Sequence, residues 1–572
     1  MMKSNIFLIA ALLAGSMAFT ACEDFLDQKN TTDLNQGTFF ESDEAVEAAV
    51  YPLYNYVWWA FNEKAYYAFG DGRSNNITAQ YSEYIKYYGN LNETSLTEGL
   101  DGAWNALYSV VAQSNNAINN IRNFSTGNVS ETVKTQCIAE ARFMRGTAYW
   151  YIASLWGMAI IYENTNDLTG NYVVQPHQQT DAFEFAIRDL EYAAKYLPTV
   201  ASAKGRVNKY SAYGMLSRMY LSMAGVTTDG AYNGSNIATD FNRGTRNTYY
   251  LDLAKKAALK VITESTYDLM EEYGDLFTYE NNNCKEALFQ LQWLTGTNES
   301  IGGCNQPLGT FMGWSSMVSD GGTNWGGAMY CSWDLWCEYE AEDTKRRHAT
   351  VASYGEYYPE LNVKGGGYTY GVTEARATQG ANIKKYVIGT IDDNGVSYKQ
   401  SNGLNTHMLR LPEVYLNLAE AILGNNASTQ DETALYYFNR IRTRAKLKGL
   451  SAITYEDIRH ERRIEFALEG LYWFDLLRRS YYRQQEVINY MNSQNRNASY
   501  DYNETTGVYE LSEDYVAPGK GVATATARSL TLPVSDSDQN KNHYLKPDVN
   551  GNVETVVYGF GEREVSVDEL YK

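Results

Sequence analysis

Aromatic and hydrogen-bonding side chains gather in two long stretches of this chain, 62–99 and 295–401, where neither a helical nor a strand period is sustained. In the first, Asp71, Arg73 and Asn75 supply a carboxylate, a guanidinium and an amide, and Tyr81 and Tyr84 follow. In the second, Trp314, Trp325 and Trp333 lie among Gly and Ser, with Trp293, Tyr330 and Trp336 nearby. A flat ring stacks on the apolar C–H face of a sugar, and flanking polar groups bond its hydroxyls. The chemistry these residues suit is therefore recognition of carbohydrate on an open platform of Asp71, Arg73, Asn75, Tyr81, Tyr84, Trp314, Trp325 and Trp333.

Bond-breaking chemistry has weaker footing. Carboxylate pairs abound, as in glycoside hydrolases, but no Gly-x-Ser-x-Gly elbow, HExxH helix or Walker loop is present. His177, His348, His407, His460 and His543 are scattered, and Cys137, Cys284, Cys304, Cys331 and Cys337 form no CxxC pair. No catalytic residue, metal or cofactor is expected. One disulfide within 284–337 is compatible with an oxidising compartment, and spacing does not choose its partners. Asp392-Asp393-Asn394-Gly395 lacks the alternating positions of a calcium loop and reads as a hairpin turn. Glu461, Glu465 and Glu469 stack on one helical face and repel. Ion pairing with Arg459, Arg462, Arg463, Arg478 and Arg479 is favoured over an acid/base site.

The elements that must hold the platform are helical. Apolar residues recur at three- and four-residue spacing over 42–58, 100–121, 133–155, 181–196, 209–223, 251–264, 411–423, 432–446 and 455–479. They imply a helical scaffold over about 42–61, 100–280 and 402–500, in a single unit spanning 42–572, with variable loops at about 62–99 and 293–401. Residues 1–21 have the Lys3 start and apolar run of a secretory signal, too short to span a bilayer. Phe19-Thr20-Ala21-Cys22 resembles the lipobox of bacterial lipoproteins, with Phe19 in place of the usual Leu, which implies cleavage that leaves Cys22 as the lipidated N-terminus and 22–41 as the tether. Several acyl chains would anchor the protein to a membrane without a spanning segment.

Charge narrows the partners. A formal net charge of −20, from 48 Lys and Arg against 68 Asp and Glu, repels phosphate backbones and excludes nucleic acid. It also favours a neutral glycan over a polyanionic one. The 49 Tyr are too many for the core alone, so part of them must face water.

Several motifs together resemble the SusD/RagB family of outer-membrane nutrient-binding lipoproteins. They are Cys22-Glu23-Asp24-Phe25-Leu26-Asp27, the 409–421 segment around Leu411-Pro412-Glu413-Val414-Tyr415, Phe438-Asn439-Arg440-Ile441-Arg442-Thr443-Arg444-Ala445, Glu461-Arg462-Arg463 through Asp475-Leu476, and Leu532-Pro533-Val534-Ser535. Tyr472 replaces the usual Arg, and Asn542-His543-Tyr544-Leu545 lacks the common terminal Gln-Asn pair. The resemblance implies a mainly α SusD-like fold, built of tetratricopeptide-like helix pairs with a loop-rich variable ligand-binding region. It also implies a cell-surface position on the outer membrane and a SusC-like TonB-dependent β-barrel transporter as partner, over which the protein sits as a lid. Rival readings are a RagB-like peptide-binding lipoprotein, a glycoside hydrolase, and a helical adaptor that binds protein alone.

Overall fold

The structure is a computed structural model that describes residues 39–79, 83–295, 312–319, 329–371, 380–396, 402–512 and 522–572. Cys22, Tyr81, Cys304 and Trp325 lie outside them, as do the signal and most of the tether. The fold is mainly α. The principal helices are α1 (Asp43–Val50), α2 (Glu83–Gly89), α3 (Leu100–Phe124), α4 (Glu131–Trp156), α5 (Gln179–Tyr196), α6 (Lys209–Val226), α7 (Thr248–Glu264), α8 (Trp333–Glu338), α9 (Thr344–Thr350), α10 (Leu411–Leu423), α11 (Glu432–Arg444), α12 (Tyr455–Glu465) and α13 (Tyr472–Ser493).

Local chemistry sets their ends. Ser130 caps α4 by accepting from the Val133 amide at 3.2 Å, and Gly157 at φ 70° closes it. Asn208 with Ser211, and Thr454 with Asp457, form reciprocal capping boxes at α6 and α12. Each of α3 through α7 packs on the next in sequence, and α7 then packs on α10, so the array closes across the whole 265–410 segment. One continuous core runs through these helices.

Small strands tie the intervening segment to the scaffold. They are β1 (Ile77–Ala79), β2 (Ala287–Leu291), β3 (Met329–Cys331), β4 (Val351–Ala352), β5 (Asn382–Ile383), β6 (Thr406–Arg410), β7 (Tyr500–Asn503) and β8 (Val508–Leu511). One sheet has the order β1-β3-β5-β4, β2 pairs with β6, and β7 with β8 forms a hairpin. A separate small core of Met317, Val318, Ala352, Tyr358, Leu361, Tyr368, Tyr370 and Val387 lies within the segment.

The structure departs from the sequence expectations in four places. The 42–58 helix is α-helical only through α1; beyond it Pro52 opens a 3₁₀ segment, Tyr51–Tyr54. The 455–479 helix breaks, because Leu468 and Gly470 take φ of 66° and 68°, and so Glu469 sits in the turn between α12 and α13. Residues 391–394 form a helical turn rather than a hairpin, capped by Thr390 and ended by Gly395. Most of 65–78, expected as a surface loop, is buried.

Candidate functional site

The β1–β3 pairing joins the two stretches that carry the aromatic residues. Ile77 faces Cys331, Thr78 faces Tyr330 and Ala79 faces Met329 in antiparallel register. Tyr81 follows Ala79 by two positions in sequence and Trp325 precedes Met329 by four, and both lie outside the described residues. Just beyond β3, Ser332 donates its hydroxyl to the Asn75 carbonyl at 2.6 Å and caps α8 by accepting from the Leu335 amide at 3.0 Å. Trp333 is the first residue of α8.

Asp71, Arg73 and Asn75 are not on the platform, which corrects the expectation for all three. Their relative exposures are 0%, 0% and 1%. Asp71 accepts from the Asn76 side chain at 2.9 Å and from the amides of Leu468 and Gly470 at 3.0 and 2.7 Å. Burial still pushes its carboxyl up to about 6 against those donors. Arg73 pairs with Glu93 and lies 4.3 Å over the Trp473 ring. Asn75 donates to Asp334 at 2.6 Å. A buried polar group is costly unless bonded, and these three spend their groups on fixing the 70–76 turn against α8 and the α12–α13 junction.

The aromatic residues divide. Trp293 is core, 5% exposed, with its indole N–H on Thr406 at 2.9 Å. Tyr330 is buried as well. Trp333 is half-buried with its ring 5.3 Å from Tyr500, and Trp314 is half-buried against the small core. Tyr84 lies on α2. A seam that sequence patterning missed extends from Trp333: Tyr500, Tyr509 and Tyr502 follow, and Tyr502 stacks on Tyr354 with centroids 4.3 Å apart. The alternation Tyr500-Asp501-Tyr502, then Gly507-Val508-Tyr509 after a turn, was the available signal for this hairpin.

The glutamate cluster is structural. Glu461 pairs with Arg346 and Arg442, Glu465 with Arg346, Arg410 and Arg444, and Glu469 with Arg410 and Lys385. Burial pushes the Glu465 and Glu469 carboxyls up, but these cations overcome it and hold both at about 2. The neutralising cations therefore come from distant elements, not from the neighbouring arginines. Arg463 instead pairs with Glu338, Arg478 with Glu420 and Arg479 with Glu486. Carboxylates held well below the usual range by paired cations, as Glu465 and Glu469 are, are poor general acids. Cys284, Cys331 and Cys337 are free thiols.

Comparison with known proteins agrees with this architecture. The SusD family model matches residues 285–552, and a second model, described as starch-binding associating with outer membrane, matches 24–221. A SusD-like protein of Bacteroides ovatus is 37% identical, covering 98% of this chain and 99% of its own. The starch-binding protein SusD of Bacteroides thetaiotaomicron is 26% identical, over 61% of this chain and 65% of its own. A crystal structure solved with xylogluco-oligosaccharide superposes with a TM-score of 0.79 at 35% identity, covering 91% of this chain and all of the other.

Proposed function

The chain belongs to the SusD family, and on that premise we propose that it is a surface glycan-binding lipoprotein that captures a neutral oligosaccharide or polysaccharide. It delivers this ligand to a SusC-like TonB-dependent transporter in the outer membrane. The observation that carries the reading is the β1–β3 register, which sets Ala79 against Met329 and so joins the two stretches that carry the aromatic residues. Trp314 and Trp333, both half-buried, extend the aromatic surface. The xylogluco-oligosaccharide bound by a 35% identical protein supports a neutral glycan. Lipidation at Cys22 anchors the protein, and the tether lets it hinge as a lid.

Calorimetric titration of the chain beginning after Cys22 tests this. The panel is xylogluco-oligosaccharide, starch oligosaccharides, an acidic glycan and a peptide digest. Saturable binding of a neutral glycan, weakened by Trp325→Ala or Trp314→Ala, is expected. Binding of peptides alone would place the chain on the RagB-like branch, and turnover of the glycan would overturn the non-catalytic reading.

A further inference from the structure

A groove of about 1070 Å³ among the described residues is lined by none of the aromatic residues assigned above. It lies between the 272–280 segment that follows α7 and a wall built from α9, 356–360 and 384–394. Sites for drug-sized ligands run to about 1,000 Å³, so this groove has room for several sugar units.

Its chemistry is that of a sugar-binding cleft. Tyr357, 51% exposed, offers a ring whose orientation is fixed, because its hydroxyl donates to the Gly366 carbonyl at 2.9 Å. Tyr279, in the 272–280 segment, supplies a second, half-buried ring to the lining. Around them Lys345 pairs with Glu272 at 2.7 Å, Arg347 with Glu356 at 3.1 Å and Lys384 with Glu360 at 2.8 Å. Each pair sets a donor beside an acceptor, which suits adjacent hydroxyls that both give and take hydrogen bonds. The lining holds six carboxylates against three Lys and Arg side chains, a balance that repels polyanions. Val387 lines the groove and belongs to the small core that seats Trp314, so one body presents both faces.

We propose that this groove is a second carbohydrate-binding site, taking a neutral oligosaccharide segment that packs on the rings of Tyr357 and Tyr279. It rests on the reading of the chain as a glycan-binding protein. A polysaccharide held at two places on one molecule dissociates more slowly than from either alone.

Affinity electrophoresis through gels containing xyloglucan or starch, with titration of xylogluco-oligosaccharide, tests it. Tyr357→Ala and Tyr279→Ala are each expected to weaken polysaccharide retention at least fivefold and to lower the oligosaccharide stoichiometry from two to one. Tyr279→Phe should retain wild-type behaviour, Tyr357→Phe, which releases the ring from Gly366, should fall between wild type and Tyr357→Ala, and unchanged thermal melts identify variants that fold. Wild-type stoichiometry of one, with retention unaffected by either alanine, overturns the groove alone if Trp314→Ala or Trp325→Ala still weakens binding. No retention of the wild-type chain in either gel overturns the groove and the glycan-binding function together.

Discussion

Gly70 and Gly470 meet backbone against backbone: a β-carbon on Gly70 would stand 2.2 Å from the Gly470 carbonyl oxygen. Gly470 also holds φ at 68°, which side-chain-bearing residues rarely adopt. This contact brings Asp71 within reach of the Leu468 and Gly470 amides and locks the 70–76 turn onto the α12–α13 junction. The same turn carries β1 into register with β3, so that pairing depends on a contact made in the interior.

Gly70→Ala and Gly470→Ala are each expected to cost about 3 kcal/mol or more, because close-packed backbone must separate and, at Gly470, a strained φ must be held. Urea denaturation checks it. A loss below about 1 kcal/mol would mean that the junction relaxes without penalty.

Asp71→Asn replaces an acceptor with a group that is half donor, facing two amides. A loss of about 1–3 kcal/mol is expected, with glycan affinity of the folded variant unchanged. Lost affinity at unchanged stability would restore Asp71 to the ligand surface.

Acid should unfold the protein in a defined order. His407 is pushed down to about 4 by burial, so the folded state resists its protonation and stability falls as pH drops below 6.5. Glu420, Glu465 and Glu469 are held at about 2, below their unfolded value of 4.5. Their contribution is complete above that value and is lost as pH falls toward 2. Asp71, raised to about 6, opposes part of the loss between 6 and 3.8. Urea midpoints followed from neutral pH downward should decline gently and then steepen below about 4.5.

Trp293→Ala and Trp314→Ala should separate stability from binding. Truncating the buried Trp293 is expected to cost about 3–5 kcal/mol. Truncating the half-buried Trp314 is expected to cost less than half of that and to weaken glycan binding about tenfold, in line with about 1–1.5 kcal/mol for an aromatic contact. Equal melting losses for the two variants would place Trp314 in the core.

Arg410→Met removes the cation shared by three buried carboxylates, Glu286, Glu465 and Glu469, and leaves them to Arg444, Arg346 and Lys385. Removing one partner of a buried ion cluster costs about 3–5 kcal/mol, read as a lowered urea midpoint. A neutral outcome would show that Arg444, Arg346 and Lys385 suffice.

The amino-acid sequence alone determined the helical scaffold, since amphipathic spacing is a local signal: α10 spans the predicted 411–423, and α3 through α7 differ from their predicted limits only near the ends. It also carried the family motifs and the structural role of the glutamates. The tertiary structure decided which polar residues face water. Asp71, Arg73 and Asn75 look like ligand groups in a chain read residue by residue, and only partners hundreds of positions away, at 468–470 and 334, show that they are buried. The cations of the glutamate cluster, the Tyr500–Tyr509 seam and the groove beside Tyr357 depend likewise on contacts between distant segments. Periodicity reports how one segment meets its surroundings, not which segment it meets.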